Sequence, residues 1–113
     1  MMKGYDRAEA IAFICAKFNK KEHPELADRL EELVGQAIDA DMRYMHEAGV
    51  LNEQGEAGDA YYEDDDAIEY IVDDLAERND LSPEEAIKVA AFADEYMDLQ
   101  ELYLESRGLV DWD

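Results

Sequence analysis

The chain has 113 residues, 48% of them hydrophobic, and a formal charge of −21 at pH 7. Its length and apolar content suit one folded domain with a real core, which sets aside disorder over the whole length. The acidity argues against direct binding to DNA, RNA or an anionic membrane, all of which need clustered Lys and Arg.

Met1-Met2-Lys3 leads into a polar turn with no apolar segment of signal type. No stretch reaches the roughly 20 apolar residues of a membrane span, and a lone cysteine excludes an internal disulfide, so a cytoplasmic location is expected. The first helix is predicted over 6–20, opened by Asp6 with Glu9 three residues on as a capping box. It is apolar nearly all round. Ile11, Ile14, Cys15 and Phe18 face one way and Phe13 the other, which predicts a central helix or one covered by a second chain. Phe13, flanked by Ala10, Ala12 and Ala16, is the candidate homodimer contact, the alternative being a place under the C-terminal tail. Cys15 reads as a small buried hydrophobe.

The second helix is predicted over 24–48, with Pro24 in the favoured first turn and Glu25 and Asp28 at the positive end of its dipole. Leu26, Leu30, Leu33, Ala37 and Tyr44 form its stripe, widened by Val34, Ile38 and Met45. Asp41 falls inside that stripe near the helix end, where a structural carboxylate needs a partner such as Arg7 or a tyrosine hydroxyl. Gly49 is placed to end the helix in a left-handed cap, with Val50 and Leu51 folding back. Residues 52–60 form the one real loop.

The third helix is predicted over 64–78, with Ile68, Ile71, Val72 and Leu75 on one side. The acidic run before it, from Asp59 to Asp66, lacks the spacing of an EF-hand loop and reads as acids favouring a helix start. Ser82-Pro83-Glu84-Glu85 is the clearest signal in the chain: Ser82 as N-cap, Pro83 at the first position, Glu85 reaching back. The fourth helix then runs over 83–107 to a Gly108 cap, with Val89, Phe92, Tyr96, Leu99 and Tyr103 inward. Trp112 is too large to leave in water, which predicts that the tail docks back. The fold class is all-α, a single-domain antiparallel bundle of four main helices.

Charge is distributed unevenly. The first 51 residues hold ten acids and seven bases, whereas the remaining 62 hold 21 acids and three bases. Opposite the apolar side of the third helix lie Asp66, Glu69, Asp73 and Glu77; opposite that of the fourth lie Asp94, Asp98, Glu101 and Glu105. No lysine is interleaved, although like charges at these spacings cost a few tenths of a kcal/mol per pair. If the two helices are antiparallel neighbours, the rows lie side by side. The line charge is then one per ~2 Å, close to the one per ~1.7 Å of duplex DNA. Salt adaptation would instead coat the whole surface, and the nearly balanced first half counts against it.

No glycine-rich phosphate loop or nucleophile elbow is present, and neither His23 nor His46 belongs to a Glu-x-x-His pair. Glu31-Glu32-Leu33-Val34-Gly35, followed after a loop by Glu69 to Asp73, resembles the all-α nucleoside-triphosphate pyrophosphatases. Those four-helix enzymes hold magnesium with an E-x-x-E pair and a later E-x-x-D pair. Here Val34 and Gly35 stand three residues after Glu31 and Glu32, and Glu69-x-x-x-Asp73 is one residue too wide. The sequence therefore predicts a non-enzymatic acidic interaction protein, with no catalytic residues, cofactor or metal. Its eight-carboxylate face would bind a basic protein, as a nucleic-acid mimic or inhibitor. The alternatives are a magnesium-dependent hydrolase of the resembled type, and a structural or oligomeric protein with no role for the acids.

Overall fold

Each helix ends where nearby groups take up the backbone N–H and C=O left over by its first and last turns. A computed structural model describes residues 4–18, 21, 27–51 and 63–108, and among these it has four helices. They are α1 (Arg7–Lys17), α2 (Leu30–Glu47), α3 (Asp64–Asn79) and α4 (Pro83–Ser106). Asp6 caps α1 by accepting from the Glu9 N–H at 3.1 Å, but the expected box is only half formed. The Glu9 carboxylate pairs instead with Arg107, the residue that caps the end of α4, 3.0 Å away. Phe18 turns extended and buries its ring 5.3 Å from that of Phe92, which stops α1 at Lys17.

Helix α2 starts at Leu30 after a 3-10 turn over Ala27–Arg29, six residues beyond the Pro24 signal. His23, Pro24, Glu25 and Leu26 lie outside the described residues, as do the 52–60 loop, Asp59 and Trp112. Gly49 (φ 81°) ends α2 as expected, and the Val50 N–H returns to the Met45 C=O at 2.8 Å. Helix α3 ends the same way, with the Leu81 N–H on the Ala76 C=O at 3.0 Å. The left-handed position there is held by Asp80 (φ 51°) rather than glycine. Ser82 opens α4 with both halves of its capping box at 3.2 Å.

The four helices pack in a ring, α1 on α2, α2 on α3, α3 on α4 and α4 on α1, with no packing between α1 and α3. Partners run in opposite directions. Arg7 meets Asp39, Arg43 meets Asp74 while Asn79 meets Gln36, and Phe18 meets Phe92 while Glu9 meets Arg107. Every helix gives the core at least one fully buried alanine, among them Ala10, Ala37, Ala67 and Ala93, beside Ile14, Ile38, Ile71, Leu75 and Phe92. Helix α1 is therefore one corner of the bundle, not its centre. It buries Ala10 and Ile14, while Ala8, Ala12 and Ala16 stay exposed. Phe13 is half-buried, edge-on to Tyr103 at 5.5 Å and beneath the Lys17 ammonium at 5.1 Å.

Candidate functional site

The helical period puts four carboxylates on the outer side of α3 and four on that of α4, and all eight are exposed. Among the described residues, Asp66, Glu69, Asp73, Glu77, Asp94, Asp98, Glu101 and Glu105 make no side-chain hydrogen bond or ion pair. The chain's five arginines are all spent elsewhere. Arg7 meets Asp39 through a two-pronged contact, both bonds 2.9 Å, and this holds its guanidinium above the usual pKa. Arg29 bonds to Glu32 and Asn79, Arg107 to Glu9, and Arg43 and Arg78 converge on Asp74 at 2.9 and 2.8 Å. Asp74 itself is mostly covered, at 18% side-chain exposure, and its neighbour Asp73 is exposed.

The rows do not lie side by side. Only Asp80 to Ser82 separate α3 from α4, so distances along both helices count from that turn. Helix α3 has 16 residues and α4 has 24, about 24 and 36 Å of rise. In an antiparallel pair Asp98 is then level with Asp64 at the start of α3, and Glu101 and Glu105 project past it. The α4 row is displaced from the α3 row by about 14 Å. The eight carboxylates form a staggered band about 30 Å long, one charge per ~4 Å. That is near the 3.4 Å of one DNA strand and half the density of a duplex.

Ile87 and Leu102, the large apolar side chains most exposed among the described residues at 72% and 47%, both belong to α4. Ile87 shares the face of Asp94 and Glu105, since seven and eighteen residues are whole numbers of turns within about 20°.

The other sequence candidates come out as follows. Asp41 is 1% exposed and accepts a 2.9 Å hydrogen bond from the Tyr96 hydroxyl, so the tyrosine is the partner seen and Arg7 is not. Burial is complete despite its place near the helix end, because α4 crosses over it. Cys15 is half-buried rather than buried, in a groove of about 370 Å³ with Ile11 and Leu30. His46 is exposed. Glu31 and Glu32 are exposed beside Arg29, while Glu69 and Asp73 point outward from α3. The four residues of the resembled magnesium motif thus stay apart, and no group of three metal-ligating side chains occurs among the described residues. Gly35, where that motif needs a carboxylate, faces α1: a Cβ there would lie 2.9 Å from the Arg7 Nη2.

Sequence reasoning missed Gln100, 4% exposed, which accepts from the Tyr5 hydroxyl at 2.7 Å. The signal was present, since Gln100 lies one turn from Tyr96 on the inward face. Fold and charge together define a small four-helix bundle with one strongly acidic face. No family model matches the chain, nor does any curated protein or solved structure.

Proposed function

We propose that this protein is a non-enzymatic interaction protein whose α3/α4 face binds a basic surface on another protein. The observation that carries the reading is the allocation of charge: every arginine is paired, yet all eight row carboxylates lack a partner among the described residues. Beyond Asp66 at the positive end of α3, folding gains nothing from such a band, because like charges at three- and four-residue spacing oppose the helix. Its value lies in long-range steering toward positive charge. The stagger favours a partner whose basic residues follow a strip about 30 Å long over one that grips a full duplex. Exposed Ile87 on the same face gives the contact an apolar component that salt does not weaken.

Affinity capture from a lysate at rising salt tests this with two charge-matched variants. Asp94→Asn, Asp98→Asn and Glu101→Gln together should lower recovery of a basic protein at least tenfold while leaving helicity unchanged. Asp28→Asn, Glu31→Gln and Glu32→Gln, the same charge change near the start of α2, should leave recovery within twofold. Equal loss in both would reduce the effect to net charge and overturn the role of the face.

A further inference from the structure

The seam between α1 and α2 is open on its outer side, across the bundle from the acidic face. A groove of about 370 Å³ lies there, lined by buried Leu30, half-buried Ile11 and Cys15, and exposed Ala8 and Ala12. Asp28 and Glu31, both exposed, bring carboxylates to its rim. An apolar recess with acceptors at its edge suits a flat apolar ring that carries one N–H donor. That is the description of an indole.

The chain supplies one. Leu109-Val110-Asp111-Trp112-Asp113 follows Gly108 in the sequence and lies outside the described residues. Its point of departure is fixed, because the end of α4 is held at the start of α1. Arg107 bonds to Glu9 at 3.0 Å, and the Tyr103 hydroxyl donates to the Asp6 C=O at 3.3 Å. Glu9 is the neighbour of Ala8 and precedes Ala12 by one turn. From Gly108 to Trp112 is at most about 14 Å of extended chain, and a helix with its side chains is about 10 Å across. The path over α1 is shorter still, because Ala8, Ala12 and Ala16 keep its outer side low. A second copy of the chain is the competing occupant. So short a tether holds Trp112 near the groove at an effective concentration of about a millimolar, whereas two copies of charge −21 repel each other.

We propose that the α1–α2 groove is the docking site of the chain's own C-terminal tail, with the Trp112 indole seated against Ala12 and Cys15 and its N–H donated to the Asp28 or Glu31 carboxylate. Seating the ring takes about 200 Å² of largely apolar surface out of water, which drives the docking. In an extended tail Val110 turns to the same side as Trp112, and Asp111 between them turns to solvent. The docked tail then covers the side of α1 that a second chain would otherwise cover.

Trp112 and Cys15 are the only tryptophan and the only cysteine of the chain, so one measurement reads their encounter. A thiol quenches the tryptophan triplet state only at contact. In the deoxygenated full-length protein the triplet lifetime should be at least tenfold shorter than in Cys15→Ser, and unchanged on hundredfold dilution. Equal lifetimes in the two proteins would overturn the site. Quenching that fades on dilution would assign the ring to a second copy and equally overturn it. Ala12→Gln, at an exposed position, should lengthen the lifetime at least threefold, whereas Ala91→Gln, exposed on α4, should leave it unchanged. No effect of Ala12→Gln in the folded protein, or the same effect from both, would contradict the proposal.

Discussion

The ring of helices has two unlike sides. Where α1 meets α2 and α4, and where α2 meets α3, charges are used in pairs: Arg7 with Asp39, Arg107 with Glu9, Arg43 with Asp74. The outer surface of the α3–α4 hairpin carries eight carboxylates and no paired arginine except Arg78, which turns back to Asp74. Most of the pairs are more than a third exposed, so each is worth at most about 1 kcal/mol and sets register more than stability. The difference teaches that the lopsided charge of the sequence is not a coat. Among the described residues the arginines are committed to partners, most of them across helix–helix seams, and the eight row carboxylates of α3 and α4 are left without one.

Four substitutions sharpen the comparison, the largest effect first. Asp41 joins the two sides, because it lies on α2 and is held by Tyr96 of α4. Asp41→Ala removes a buried acceptor and leaves a small void, and should cost about 2–3 kcal/mol in urea unfolding. A loss below about 0.5 kcal/mol would mean that the sides do not share one core.

The hairpin turn comes next, since it fixes the stagger of the rows. Ser82→Ala should cost about 1 kcal/mol by loss of the N-cap. It should leave the Glu85 carboxyl still depressed, because only the Ser82 side chain is lost. The Ser82 backbone N–H, the larger of the two contacts that hold the carboxyl below the ordinary value of 4.5, stays in place. A depressed folded pKa gives stability that is complete above the unfolded value and lost as pH falls through the folded one. The gap between wild type and Glu85→Gln should therefore close below pH 4.5, as read by acid titration of helicity. Asp80→Gly relieves the left-handed strain and one charge, and should raise stability by up to about 1 kcal/mol; a decrease would show that the Asp80 side chain holds the turn.

Much of the fold was legible because its signals are local. The stripes through Leu33, Ala37 and Tyr44, and through Val89, Phe92 and Tyr96, follow from the helical period, and the Ser82 and Gly49 caps act within a few residues. What failed depended on distant partners. The local sequence makes Glu9 half of a capping box, but a guanidinium 98 positions away offers it a charge. The apolar surroundings of α1 predict a central helix or one covered by a second chain, yet alanine is tolerated in solvent, and Ala8, Ala12 and Ala16 face it. The offset of the two acidic rows is itself legible in the chain. The short turn and the unequal helix lengths were both in the sequence, and together they require the offset.

The adjacent residues Asp73 and Asp74 test the central claim most directly, because they have the same chemistry and opposite surroundings. Urea unfolding at low ionic strength, about 20 mM, should be compared for Asp73→Asn and Asp74→Asn. Asp73 has only like-charged neighbours along its row, so its neutralisation should leave stability unchanged or raise it by a few tenths of a kcal/mol, an effect that added salt removes. Asp74 accepts from two arginines while mostly covered, so its neutralisation should cost about 1–2 kcal/mol. Equal losses from the two substitutions would contradict the division between paired seams and an unpaired acidic face.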